Sequence, residues 1–187
     1  MKKADWAALI LLGGKSSRMG EDKAFVKWQS KTFLNHTLDL LTPFNDEIYL
    51  SVNADQHQLL KSDYHCIPDK FKDKGPLGGI LSTMECANKD LLVIPIDMPL
   101  LSANLLRPLN EQAELACYEI DGNIEPFPSF WPFGLREIIE ASIQENELSV
   151  KAFLKKNSVK HLKSEHSNIF KNFNFKEDLN PSNPRST

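Results

Sequence analysis

Close to its amino terminus the chain reads Ala7-Ala8-Leu9-Ile10-Leu11-Leu12-Gly13-Gly14-Lys15-Ser16-Ser17-Arg18-Met19-Gly20-Glu21-Asp22-Lys23. Six apolar residues in succession, with no polar alternation, are the pattern of a strand buried on both faces. Gly13 and Gly14 follow at once. Consecutive glycines at a strand end let backbone N–H groups converge on an anion, which makes a phosphate nest. Arg18 and Lys23 then bring fixed positive charge suited to a polyphosphate. The other reading, a flexible loop with solvated cations, stays open on these residues alone. Two common phosphate motifs are excluded by spacing. A P-loop requires glycine at position 9, where leucine stands, and glycines 13, 14 and 20 do not form G-x-G-x-x-G.

Outward from this stretch, strand and helix patterns alternate. Phe33 to Leu41 has apolar residues at helical spacing and stops near Pro43. Ile48 to Val52 reads as a second strand, Ala54 to Leu60 as a helix, and Cys66-Ile67 as a short third strand. Pro76 to Ala87 is a helix with proline at its favoured start. Leu91 to Ile96 is a fourth buried strand, Ser102 caps a further helix, and Leu115 to Ile120 is a strand. Asp121-Gly122-Asn123 makes a turn, Phe130-Trp131 is extended, and Leu135 to Ile143 is helical. The alternation implies an α/β fold, a three-layer αβα sandwich around a Rossmann-like, mostly parallel sheet. Ligands of such sheets sit at the carboxyl ends of the strands.

The unusual residues fall at those ends. Asp97 closes the strand Leu91–Ile94 and is placed to hold Mg²⁺ on phosphates, or to serve as a turn or cap aspartate before Pro99. Gly75-Pro76-Leu77-Gly78-Gly79 opens a helix, with Asp69 and Asp73 just upstream. It suits either a wall against a nucleotide base or sugar, or close packing of helix on sheet. Asn53 ends the second strand and fits a base or ribose contact or simple turn chemistry. In Phe170-Lys171-Asn172-Phe173-Asn174, period-two spacing puts Asn172 and Asn174 on one face of an extended segment, opposite Phe173. A strand-end pair with Asn174 capping the next helix is the other use.

Composition narrows the class. The 187 residues are 41% hydrophobic and 25% charged, ordinary globular usage. A chain of this length buries about 70% of its unfolded surface without needing metal or disulfide. Net charge is −3, which argues against a nucleic-acid partner. Residues 151–187 carry eight Lys/Arg against three Asp/Glu, and are expected as solvated surface. The three cysteines lack metal-like spacing and their odd number suits a reducing compartment. No apolar run approaches the ~20 residues of a membrane span, and the start of the chain lacks a signal-peptide cleavage pattern. The expectation is one cytoplasmic domain over residues 1–187, with a frayed end at about 181–187. The five histidines show no ligand spacing, and no serine has an elbow context with a histidine partner.

The run Leu-x-Gly-Gly-x-Ser-x-Arg-Met-Gly-x-Asp-Lys resembles the nucleotide-binding loop of the molybdenum cofactor guanylyltransferases, within the wider nucleotidyltransferase group. The likeness continues in order through Asn53, Asp69, Gly75-Pro76-Leu77-Gly78, Asp97 and the Asn172–Asn174 pair to Glu177-Asp178-Leu179. It implies a sheet of the nucleotidyltransferase type and transfer of GMP from Mg·GTP to the terminal phosphate of molybdopterin. The products would be molybdopterin guanine dinucleotide and pyrophosphate. By position, it implies nucleotide contacts from Leu11, Leu12, Gly13, Gly14, Asn53, Asp69 and Gly78. It assigns phosphates to Lys23, the nucleotide together with Mg²⁺ to Asp97, and the pterin side to Asn172 and Asn174. The charge-neutralising catalytic groups are then Arg18, Lys23 and Asp97. Transient contacts with molybdenum insertion proteins and molybdoenzymes are a further implication.

Three departures accompany the likeness, one of them Ile96, which stands before Asp97 where the family often has a small residue or cysteine. Leu12 stands where the family usually has alanine, and Phe175-Lys176 where it often has Thr-Pro. Two other functions remain to be discriminated: a cytidylyltransferase or other nucleotidyltransferase with a different phosphorylated acceptor, and a non-catalytic cofactor-delivery module.

Overall fold

The structure is a computed structural model that describes residues 5–12, 22–71, 73–164, 167–174 and 176–179. Its strands are β1 (Trp6–Leu11), β2 (Lys27–Trp28), β3 (Lys31–Thr32), β4 (Ile48–Val52), β5 (His65–Pro68), β6 (Asp90–Pro95), β7 (Ala116–Ile120), β8 (Asn123–Trp131) and β9 (Lys160–Lys163). Its helices are α1 (Phe33–Leu41), α2 (Ala54–Leu60), α3 (Gly75–Ala87), α4 (Ala103–Asn110), α5 (Arg136–Gln144) and α6 (Val150–Lys156). Seven strands form one sheet in the order β5-β4-β1-β6-β8-β7-β9, and β2 and β3 form a separate hairpin. The sheet is parallel except for β8, which runs antiparallel to β6 and β7.

The apolar runs occupy the middle of the sheet because they are covered on both faces. Every residue of β1 is buried, as are Leu91 to Ile94 of β6. From β1 the chain moves through α1 to β4 and through α2 to β5, always in one direction. It then crosses back through α3 to β6 on the other side of β1. Right-handed βαβ connections therefore put α1 and α2 on one face and α3 on the opposite one. The reversal makes the carboxyl ends of β1 and β6 the topological switch point, where a crevice opens. The two ends are tied directly, Ile96 N–H donating to Leu11 O at 3.1 Å.

Helix α3 lies close to the sheet because it presents glycine there. A Cβ at Gly79 would run into Ser51 Oγ, and it would come within 3.3 Å of Leu11 Cδ2. At Gly78 a Cβ would meet Asp69 Oδ1 at 3.1 Å and Phe71 O at 3.2 Å. Both readings of this glycine cluster are thus compatible: it packs the helix tightly, and that packing sets the loop carrying Asp69.

The expected strands and helices occur within a residue or two of their sequence-based bounds, apart from the Phe130-Trp131 piece. That piece is the end of the nine-residue β8, whose apolar pattern is interrupted by Pro126 and Pro128. The carboxyl-terminal region differs more. Instead of solvated surface alone, it contains α6, seated by Val150, Phe153 and Leu154, and the edge strand β9 beside β7. Ser149 caps α6, accepting from Ala152 N–H at 3.2 Å. Lys151, Lys155, Lys156, Lys160 and Lys163 face outward, Lys156 pairing with Glu147 and Lys160 lying 3.9 Å from Glu114. The Lys171 ammonium, by contrast, is buried, 5.9 Å from the centre of the Phe173 ring. No helix among the described residues is long and apolar enough to cross a membrane. Residues 181–187 lie outside the described residues.

Candidate active site

Asp97 follows β6 directly, in the turn Ile96-Asp97. Asp22 and Lys23 begin a short 3-10 turn (Lys23–Phe25), in which Asp22 Oδ1 accepts from Ala24 N–H at 2.9 Å. Lys23 Nζ donates to Asp97 Oδ2 at 2.7 Å and to Asn174 Oδ1 at 2.6 Å. Three residues separated by 74 and 151 positions in the chain thus converge on one amine above the switch point. The side chains of Lys23 and Asp97 are 17% and 19% exposed, shielded enough for strong charge interaction yet reachable by a ligand. One ammonium proton and one Asp97 oxygen remain uncommitted among the described residues.

The segment carrying Asn174 is pinned to this place. Phe173 N–H donates to Asp97 O at 2.8 Å. The Phe173 ring is buried edge-on to Phe33 and Trp28, with centroids 6.1 and 5.7 Å away. Asn174 N–H donates to the buried Asp178 Oδ2 at 2.9 Å. The expected alternation holds: Asn172 is exposed, Phe173 buried and Asn174 half-buried. The two asparagines differ, however, because Asn174 is bound to Lys23 and Asn172 is open to solvent.

On the other side of the crevice, Val52 O accepts from Asp69 N–H at 3.1 Å, so the end of β4 sets Asp69. Asp69 Oδ1 accepts from Phe71 N–H at 2.9 Å. Burial lifts the Asp69 carboxyl above the ordinary carboxylate range; the Phe71 N–H opposes the lift and the negative charge of Asp73 adds to it. Gly78 backs this loop, and Ser82, bonded to Gly78 O, accepts from Lys70 N–H. Asn53 is exposed and is the N-cap of α2, where its Oδ1 accepts from Gln56 N–H at 2.9 Å. Among the described residues its amide NH₂ has no partner. Leu11 and Leu12 are both buried in the core, 7% and 3% exposed. Leu12 is therefore a packing residue in place of the family's alanine, and Leu12 N–H continues the sheet by donating to Ser51 O. Gly13, Gly14 and Arg18 lie outside the described residues.

Two participants escape a search for ligand-facing groups. Gln56 is buried, 3% exposed, and its Nε2 donates to Asp22 Oδ2 at 2.7 Å. The signal for it is the Asn53-x-x-Gln56 spacing, an N-terminal capping box. Asp22 is the second, recognisable only as the acid preceding Lys23.

A mostly parallel sheet whose switch point bears Lys23 and Asp97, with a helix drawn close by Gly78 and Gly79, is compatible with a nucleotidyltransferase, and likeness to known proteins points to that class. Residues 8–162 match the MobA-like NTP transferase domain. A probable molybdenum cofactor guanylyltransferase of Flavobacterium johnsoniae is 32% identical over 93% of this chain and 94% of its own length. One from Bacillus cereus is 31% identical, covering 92% of this chain and 93% of the relative. Among solved structures, molybdopterin-guanine dinucleotide biosynthesis protein A from Archaeoglobus fulgidus superposes with a TM-score of 0.79. Its identity is 22%, over 92% of this chain and 94% of that one. The chain belongs to the MobA-like NTP transferase family, in its molybdenum cofactor guanylyltransferase branch, and is an enzyme of the nucleotidyltransferase class.

Proposed function

We propose that residues 1–187 act as one domain that transfers GMP from GTP to the terminal phosphate of molybdopterin, releasing pyrophosphate. The observation that carries this reading is the convergence of Lys23, Asp97 and Asn174 at the switch point. The guanylyltransferase names of relatives matched over nearly their whole length support the choice of nucleotide and acceptor.

The acceptor phosphate has a second pKa of about 6 and is largely ionised at neutral pH. Its oxygen forms the new bond to the α-phosphorus of GTP while the bond from that phosphorus to the bridging oxygen breaks, and pyrophosphate leaves with the electron pair. No base is needed to activate such a nucleophile. Catalysis rests on in-line placement and on neutralising the charge that accumulates on the transferring and leaving phosphates. Lys23 holds its ammonium where that charge develops, with Arg18 and the Gly13-Gly14 amides assigned to the same polyphosphate. Asp69, Asn53 and Gly78 serve the base and ribose, and Asn172 and Asn174 face the pterin side.

The donor set also fits a Mg²⁺ ion that enters with the nucleotide. Among the described residues no group of three or more His, Cys, Asp or Glu side chains is placed to hold a metal by itself. Mg²⁺ is commonly bound by one or two carboxylates together with substrate phosphates, and Asp97 offers one uncommitted oxygen at the strand end. Bound there, the ion would supply charge neutralisation at the phosphates.

The test is pyrophosphate release with Mg²⁺ and molybdenum-loaded molybdopterin, comparing GTP with CTP, ATP and UTP. Release with GTP alone is expected. Release with CTP would move the chain to the cytidylyl activity, and silence of a folded protein with all four nucleotides would indicate another acceptor or a delivery role. Asp97→Ala is expected to abolish turnover while leaving the fold intact, since Phe173 is anchored to the main chain of Asp97 and not to its side chain.

A further inference from the structure

We infer that Gln56 is a positioning residue for the phosphate-binding lysine, acting through Asp22. The inference rests on the nucleotide reading of Lys23 given above. Gln56 uses the two ends of its amide for different partners. Its Oε1 accepts from Asn53 N–H at 3.0 Å, which completes the capping box of α2. Its Nε2 reaches across 34 positions of the chain to Asp22 Oδ2 at 2.7 Å. Leu12 O lies at the outer limit of the same N–H group's reach, 3.5 Å away. The donor arm adds nothing to α2, because a capping box needs only the acceptor.

What that arm does is complete the engagement of Asp22. One Asp22 oxygen caps the turn that carries Lys23, and the other is tied to Gln56. The Lys23 backbone is thereby tied to the start of α2, which follows directly from the end of β4. A hydrogen bond to a carboxylate is stronger than one between neutral groups, and burial of Gln56 keeps water from competing for it. The arrangement also answers an electrostatic difficulty. A carboxylate next to a polyphosphate-binding lysine repels the ligand, and two hydrogen bonds from neutral donors, one to each Asp22 oxygen, spread and partly offset that charge.

Only an amide at position 56 accepts on one side and donates on the other, which makes the link separable by substitution. Gln56→Glu retains the acceptor for Asn53 N–H and sets a carboxylate against that of Asp22. Asp22→Asn leaves a single carbonyl oxygen for two donors. The double variant Gln56→Glu/Asp22→Asn reverses the direction of the hydrogen bond and conserves the total charge. The measurement is affinity for a fluorescent GTP analogue in the presence of Mg²⁺, with the melting temperature of each variant taken alongside.

Each single variant is expected to bind about tenfold more weakly, the equivalent of losing one charge-assisted hydrogen bond, and the double variant to recover most of the loss. Charge alone makes a different forecast: Asp22→Asn would tighten binding and the two effects would simply add. That outcome, or single variants that bind like the parent, would overturn the inference. If Gln56→Glu fails to fold, Asp22→Asn and the double variant still decide between the two forecasts. Absence of GTP binding by the unaltered protein would instead remove the nucleotide reading on which the inference stands.

Discussion

Two lysine–carboxylate pairs lie at opposite ends of the same strands, and the contrast between them separates a strut from a site. At the amino ends, Lys89 precedes β6 and Glu47 precedes β4, with Nζ and Oε2 2.5 Å apart. At the carboxyl end of β6, Lys23 meets Asp97 at 2.7 Å. Separation and charge are almost the same. The surroundings are not. Glu47 has both oxygens engaged, the second by Tyr49 OH at 3.1 Å, and neighbouring polar groups are likewise consumed. Asn45 donates to Trp6 O, and Asp90 accepts from Phe133 N–H. At the other end, among the described residues, one Asp97 oxygen and the Asn53 NH₂ remain uncommitted, and glycine lets α3 approach. A salt bridge thus marks a candidate site when its carboxylate is left incomplete at a switch point, rather than when it is merely present.

The largest effect expected from breaking this comparison comes from removing each lysine in turn. Lys23→Met is expected to lower pyrophosphate release by about 10²–10³-fold, the loss typical of one preorganised charge-stabilising donor. Its melting temperature should also fall, because Asp97 and Asn174 lose the ammonium from which both accept, so turnover and not stability is the discriminating readout. Lys89→Met is expected to leave turnover at the parent level and to affect only stability. Equal losses of turnover in both variants would erase the distinction drawn above.

A smaller effect is expected at the scaffold. Gly79→Ala gains helix propensity, about 1 kcal/mol, but places a methyl group against Ser51 Oγ and close to Leu11. Overpacking of this kind costs about 1–3 kcal/mol, and the obstacle is a short side chain on a central strand, which has little room to yield. The net result should be a lower midpoint of denaturant unfolding. Turnover should fall as well, since Leu11 and Ser51 support the crevice on the β1 and β4 sides.

The central sheet was legible because its strands are continuous apolar runs, whose burial on both faces leaves a simple pattern. The candidate site at the strand ends stood out for a related reason: Asp97 is a type that a buried strand end would not otherwise carry, and the structure brings it to Lys23. What stayed hidden depends on conformation or on distant partners. The β2–β3 hairpin turns on Gln29 and Ser30 with φ of 46° and 71°, where the usual signal would be Asn-Gly. Helix α6 lies at the start of the lysine-rich region, whose charge obscures the buried trio Val150, Phe153 and Leu154. That Asn174 rather than Asn172 meets Lys23 is set by Phe173 sinking between Phe33 and Trp28, a tertiary fact. Gln56 shows a capping pattern in the sequence, but nothing local points from it to Asp22.

The smallest effects, and the finest sharpening of the contrast, lie in the pH dependence of stability. The fold raises the Asp69 carboxyl above its ordinary value, chiefly by burial, and lowers that of Glu47, chiefly through the Lys89 hydrogen bond. The signs are opposite. Ionised Asp69 is disfavoured by the fold, so its cost is present at neutral pH and is relieved as pH falls through its raised value toward the unfolded one. Asp69→Asn, which keeps an oxygen for Phe71 N–H, should therefore melt higher than the parent at pH 7, with the advantage closing below pH 4. Ionised Glu47 is favoured, so its contribution is complete above the unfolded value near 4.5 and is lost as pH falls through its lowered one. Glu47→Gln should melt lower than the parent at pH 7, with the deficit closing in acid. Thermal melts of the three proteins across pH 3–7 read both slopes, and slopes of the same sign would mean that the two ends of the sheet are not tuned in opposite directions. Only the Asp69 substitution should also weaken GTP binding if Asp69 serves the nucleotide as proposed, and unchanged binding would remove Asp69 from that proposal.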